Sequence, residues 1–231
     1  MKKLVFLCAA LLLAAGPSSA AEIHGKKLKL VSARSSYVPS EQFNSVQFAP
    51  PPAADSDVQK ADVAAVQYWE AHSTDADCER ANKTFFVPFA YMWGETSPFP
   101  QPLPTEVQSF FDRIDSDTGA AAKVMKSRYQ RPRPALTNPC PGSNGGGYSY
   151  PSSHAALSRV FADVLADLVP ARKAEFIAKA DGIAQDRVII GVHYPSDIAA
   201  GKDFADLFHA DLLKSEGYRK DLEKMKSFLV K

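Results

Sequence analysis

The chain reads as all-α, a compact helical bundle, and three observations carry that reading. Apolar residues recur at helical spacing over several long stretches. No stretch shows the apolar/polar alternation of a half-buried strand. The connections between the periodic stretches are rich in Pro and Gly, which stop helices and form turns. With 231 residues and 45% hydrophobic content, the chain can bury a substantial single core.

The elements follow in order. Residues 55–72 open on Asp55-Ser56-Asp57 and carry an apolar stripe of Val58, Val63, Val66 and Trp69. Residues 105–129 open on Thr105-Glu106-Val107 and bring Lys126 near the end of the helix. The run from His154 is apolar almost throughout and stops at Pro170. Residues 173–190 form another strong stretch, with Arg187 in the last turns before Gly191. The tail, 203–229, reads as one or two amphipathic helices with a break at Gly217. Pro- and Gly-rich connections fill 35–54, 87–104 and 132–151, and such loops often carry function on a rigid scaffold.

The N-terminus has the pattern of an export signal. Met1-Lys2-Lys3 supplies the charged start, Leu4 to Ala15 the apolar stretch, and Ser18-Ser19-Ala20 a small-residue cleavage site. This divides the chain into a leader (1–20), a Pro-containing segment (21–54) and a helical domain (55–231), and predicts a periplasmic or secreted protein cut near Ala20. The apolar stretch is short for a membrane span, and nothing later approaches the length needed. Lys plus Arg number 27 against 26 Asp plus Glu. Losing Lys2 and Lys3 with the leader leaves 25 against 26, about −1, so no basic face for nucleic acid or an anionic membrane is implied. Cys8 would leave with the leader. Cys78 and Cys140 remain, an even pair that reads as a disulfide in an oxidising compartment, the alternative being two separate buried thiols.

Chemistry concentrates in three segments: Lys126-x6-Arg133-Pro134, Pro151-Ser152-Ser153-His154, and Arg187-x5-His193-x3-Asp197. A phosphoryl group in transfer spreads charge over three oxygens, so fixed cations can stabilise it without a metal ion. Arg133 and Arg187 offer planar forks and Lys126 a point charge. Ser152 adds a hydroxyl, and the backbone N–H groups of Ser153 and His154 would face the anion if a helix starts there. His193 has Asp197 four residues on, a spacing that, if the intervening turn is helical, lets the carboxylate take one ring N–H and leave the other nitrogen to attack phosphorus. His154 has no such acidic partner and suits protonation of the leaving oxygen, then activation of water. His24, His72 and His209 lack a motif context and read as structural or solvated. No cluster of acidic residues or histidines has metal-ligand spacing, so neither metal nor cofactor is expected.

These residues, in this order and spacing, resemble the signature of the phosphatidic acid phosphatase type 2 superfamily, and within it the secreted class A bacterial non-specific acid phosphatases. Weaker flanks agree: Tyr37-Val38-Pro39-Ser40-Glu41, Pro50-Pro51-Pro52, and the Cys140 segment leading to Gly147-Tyr148-Ser149-Tyr150-Pro151. The resemblance implies an all-α fold of the acid phosphatase/vanadium haloperoxidase type. It also implies metal-independent hydrolysis of small phosphomonoesters through a phosphohistidine, with transfer to another alcohol open as a variant, and a homo-oligomer. The segment 85–99 lies where that family has a Gly-containing loop near the active-site mouth. There Tyr91 and Trp93 could touch the organic part of a substrate and Gly94 permit movement, or the aromatics could pack in the core or a subunit interface. Two positions depart from the family. Ser153 replaces a Gly, strained if φ must be positive, and Asp186 replaces a Ser, either paired with a nearby cation or solvated. Two alternatives stand beside hydrolysis: a vanadium-dependent haloperoxidase using the same oxyanion cradle, and a catalytically weakened phosphate-binding protein.

Overall fold

The computed structural model describes residues 35–85, 88–136, 140 and 145–230. The chain divides into two units, 1–33 and 34–231. The expected leader, its cleavage site and His24 lie outside the described residues. Those residues contain eight α-helices and no strand: α1 Asp57–His72, α2 Asp75–Lys83, α3 Phe89–Trp93, α4 Thr105–Tyr129, α5 Ser153–Leu168, α6 Lys173–Ile189, α7 Pro195–Lys214 and α8 Glu216–Met225. No helix among them is long and apolar enough to cross a membrane.

Local chemistry sets most boundaries. The Ser56 hydroxyl accepts the Gln59 N–H at the start of α1, and Thr74 with Asp77 closes a capping box on α2. Gln130 ends α4 in the left-handed region at φ 50°. Pro195 occupies the first turn of α7, where its missing N–H costs nothing.

The most apolar helix, α5, lies at the centre and packs most extensively on α6 and α7, with α4 against a further face. Aromatic rings fill the space between them. Phe89 of α3 stacks on Phe111 of α4 with centroids 3.6 Å apart, and both meet Phe161 of α5 edge-on. Fully burying each such ring stabilises the fold by roughly 1.5–3 kcal/mol. The start of α5 is approached closely by α7 because position 201 is Gly. A Cβ there would lie 2.7 Å from the Ser152 carbonyl oxygen and 2.8 Å from the Ala155 Cβ. At the other end of the core, Asp117 of α4 accepts the backbone N–H groups of Ser36, Tyr37 and Val38.

Several expectations need correction. The α1 stripe is only half buried. Val66 is 1% exposed, but Val58 is 56% and Val63 37% exposed, and the inward position between them is taken by Asp62 at 3%. The tail helix begins at Pro195, not 203, because the Asp197 carboxylate accepts the Tyr194 N–H and starts the turn early. The break falls at Ser215 and not at Gly217, since the Ser215 hydroxyl caps α8 by accepting the Tyr218 N–H. α6 closes at Ile189, one residue short. α2 and α3 carry too little apolar periodicity to be read from sequence. Polar caps and the disulfide hold the first, and the aromatic core holds the second.

Candidate active site

The signature residues converge at the N-terminal ends of α5 and α7, the C-terminal ends of α4 and α6, and the segments beside them. Lys126 sits in the last turn of α4, and its ammonium donates to the carbonyls of Tyr148 (2.7 Å) and Ser149 (3.1 Å). Arg133 donates to the Gly146 carbonyl at 2.9 Å, the Val192 carbonyl at 2.6 Å, and Nε2 of His193 at 3.1 Å. Arg187 is wholly buried near the end of α6. One of its terminal nitrogens donates to the Ala81 carbonyl and the Thr84 hydroxyl, whereas Nε and Nη1 find no partner among the described residues. Buried donors left unpaired cost free energy, the more so on a charged group. Two donors of a fixed guanidinium are therefore available to an anion.

Ser152 is buried and caps α5: its hydroxyl accepts the Ala155 N–H at 3.4 Å and its own N–H donates to the Asp197 carbonyl at 3.0 Å. Ser153 is the first residue of α5, and the only non-glycine with positive φ among the described residues is Gln130. Serine is thus unstrained where the family has glycine. His154 follows in the first turn, its Nε2 3.0 Å from the Phe85 carbonyl. The Phe85 ring lies 5.6 Å from the His154 ring and 5.8 Å from the Arg187 guanidinium.

His193 is 2% exposed and lies in the turn just before α7. Its Nδ1 faces Asp197 Oδ2 at 3.4 Å, across a capping turn and not along a helix. Because the Arg133 guanidinium can only donate, Nε2 must be the unprotonated nitrogen, and the proton sits on Nδ1 toward Asp197. Burial, reinforced by Arg133 and Lys126 against the pull of Asp197, lowers the His193 pKa to about 3. The same cause, with Arg187 and then Arg133 and Lys126, lowers His154 to about 4 despite the Phe85 carbonyl. Both imidazoles are neutral in the free protein over most of the acidic range. Burial would raise Asp197, but His193, Arg131 and the Tyr194 N–H outweigh it and keep the carboxyl below its usual range. Burial and the nearby Arg133 lower Lys126 to about 7, and burial lowers Arg187 to about 10. A negative charge placed among these cations would raise them back toward their usual range. Among the described residues no group of three or more His, Cys, Asp or Glu is placed to hold a metal ion.

The remaining sequence candidates separate. Cys78 and Cys140 form a disulfide with Cα atoms 5.3 Å apart. Asp186 is paired: Arg80 and Thr84 donate to its carboxylate at 3.0 Å, tying α2 to α6 beside Arg187. Trp93 takes the core alternative, with no exposed surface and its ring edge-on to Phe176. Tyr91 is 71% exposed, beside a cavity it lines with Glu79, Asn82 and Lys83, and Gly94 has φ 26°. His72 stacks on Tyr68, and His209 meets Asp167 at 2.8 Å near the C-terminal end of α5.

Sequence reasoning missed Arg131 and Asp62. Arg131 donates to Asp197 Oδ1 at 2.6 Å and to Asp62 at 2.8 Å. A signal existed for the second: Asp62 falls midway between Val58 and Val66 at i,i+4 spacing, a carboxylate on the presumed apolar face. The partners that α2 and its C-cap offer Arg187, Ala81 and Thr84, had no signal.

Residues 118–210 match the PAP2 superfamily model. A non-specific acid phosphatase of Providencia stuartii is 29% identical over 137 residues, 54% of this chain and 54% of the relative. One from Salmonella typhi is 36% identical over 81 residues, 35% of this chain and 32% of the relative. A lipid A 1-phosphatase of Rhizobium etli is 33% identical over 98 residues, covering 39% and 42%. The chain thus spans about half the length of these curated relatives, or less. A solved transmembrane PAP2 type phosphatidylglycerolphosphate phosphatase from Bacillus subtilis aligns with 82% of this chain and 94% of its own, at 20% identity and TM-score 0.47.

Proposed function

On the premise of a PAP2 superfamily domain across residues 118–210, we propose that the chain is a metal-independent acid phosphatase acting on small organic phosphomonoesters through a phosphohistidine at His193. The observation that carries this reading is the geometry of His193. Its Nε2 is neutral and unprotonated, held against Arg133, with Lys126 near enough to act on it and its other nitrogen directed at Asp197. That is a nucleophile beside an anion cradle.

The phosphoryl oxygens meet Lys126, Arg133, the free donors of Arg187 and the N–H groups opening α5. Nε2 of His193 attacks phosphorus and the ester oxygen departs. Asp197 balances the positive charge that the imidazole gains. His154 donates a proton to the departing oxygen, then takes one from the water that attacks the phosphohistidine. In the free protein His154 is neutral because Arg187, Arg133 and Lys126 add to its burial. A bound phosphate offsets that field, so His154 takes up its proton when substrate arrives. This couples general-acid readiness to occupancy and favours acidic conditions.

The expected leader and the Cys78–Cys140 bridge support an exported, periplasmic protein. The match to lipid A 1-phosphatases supports a second reading, in which the phosphate ester is carried by a lipid. Turnover of p-nitrophenyl phosphate in excess EDTA tests the first, beside dispersed lipid A under the same conditions. Sustained hydrolysis of the small ester is expected. Activity that needs added zinc or magnesium would sink the mechanism, and activity on the lipid alone would replace the substrate class.

A further inference from the structure

Resting on that reading, we infer that Arg131 and Asp62 are positioning residues for the reaction, acting on His193 through Asp197. Asp197 has one oxygen for each of two tasks. Oδ2 accepts the Tyr194 N–H at 2.9 Å and faces Nδ1 of His193, whereas Oδ1 is held by Arg131 at 2.6 Å, with the Ser149 hydroxyl 3.4 Å away. Without the hold on Oδ1 the carboxylate could turn about its own bond, and the long 3.4 Å contact to His193 would be the first to go.

Arg131 is itself fixed from behind. Its other terminal nitrogen donates to Asp62 Oδ2 at 2.8 Å and to Gln59 Oε1 at 2.6 Å, and its guanidinium lies 4.2 Å over the Tyr194 ring. Asp62 in turn accepts the Ser196 N–H at 3.0 Å and the Ser196 hydroxyl. Asp62, Arg131 and Asp197 are 3%, 6% and 0% exposed, so their charges meet little solvent screening. The row alternates in sign from α1 to the nucleophile: Asp62 negative, Arg131 positive, Asp197 negative, and an imidazole that becomes positive on phosphorylation. Asp62 therefore lets Arg131 bind Asp197 without cancelling the charge that supports His193. Neither residue reaches the phosphate cradle, so their loss should fall on turnover and not on substrate binding.

The test is a double-mutant cycle on p-nitrophenyl phosphate hydrolysis. Arg131→Lys keeps the charge but loses the fork that spans two carboxylates. It should lower kcat roughly tenfold with KM within about twofold. In the Asp197→Asn background the same change should cost less than about twofold in kcat, because the group it acts through is already disabled. Asp62→Asn run through the same cycle should repeat the pattern, and thermal unfolding identifies any variant that does not fold. Equal losses in both backgrounds, or a rise in KM with kcat unchanged, would overturn the inference. A wild-type kcat in Asp197→Asn alone would instead overturn the assignment of His193 and Asp197, a failure distinct from this one.

Discussion

Removing the disulfide by Cys78→Ala with Cys140→Ala should both destabilise the fold and loosen the site. The bridge spans a sequence separation of 62 residues. In the chain-entropy model such a loop restricts the unfolded chain by about 4 kcal/mol at 25 °C. For a chain of this size that corresponds to a fall in Tm of about 8–16 °C. The bridge also joins two sides of the cradle. α2 carries Cys78 and presents the Ala81 carbonyl, and Thr84 just after it presents the hydroxyl; both hold Arg187. The segment after Cys140 presents the carbonyls of Gly146, Tyr148 and Ser149 that hold Arg133 and Lys126. Losing the tie lets the cations drift relative to one another, and kcat/KM should fall by about tenfold, within the roughly hundredfold that a misplacement of about 1 Å can cost. The assay pairs thermal unfolding of the oxidised protein and the double variant with p-nitrophenyl phosphate kinetics below both Tm values. A stability change under about 1 kcal/mol together with unchanged kcat/KM would refute the reasoning.

Further outcomes follow from the same geometry. His193→Ala should abolish trapping of labelled phosphate on the protein as an acid-labile, alkali-stable adduct, whereas His154→Ala should still be labelled by esters with good leaving groups but release phosphate slowly; the reverse pattern in alkaline denaturing-quench experiments would exchange the two roles. Inhibition by inorganic phosphate should weaken as pH rises through about 7, where the depressed Lys126 loses its charge, and a flat pH dependence between 6 and about 8.5 would contradict that lysine's place in the cradle. The two buried histidines have folded pKa values near 3 and 4, below the unfolded value of 6.5, so the unfolded chain binds more protons in this window. Each should remove about 1.4 kcal/mol of stability per pH unit as pH falls from about 6.5 toward 4, measurable by denaturant titration and relieved by saturating phosphate. Asp186→Ala should cost roughly 1–3 kcal/mol by leaving the Thr84 and Arg80 donors short of a partner beside Arg187, read by denaturant unfolding.

The candidate site was legible in the sequence because each of its residues suits a task in the proposed chemistry that one residue type does best, at a spacing set by the backbone. Lys126 and Arg133 sit seven residues apart, across a helix end. His193 and Asp197 are joined by one capping turn. α4 and α5 were legible for a related reason: both bury a continuous apolar face, so local periodicity and tertiary packing agree. α2 was not, since it is short, mostly charged and carries too little apolar periodicity, and its place is set by partners more than a hundred residues away, Asp186 and Arg187. Arg131 and Asp62 were hidden in the same way. Each looks like a surface charge in its own segment, and only the fold brings the carboxylate of α1, the guanidinium after α4 and the carboxylate of α7 into one buried row. Taking those charges out of water is costly unless every one is paired, and here each has its opposite. A protein that needed only stability would do as well with apolar residues at 62 and 131. Under the proposed mechanism, alternating buried charge ending on Nδ1 of a neutral histidine serves the moment that histidine becomes positive.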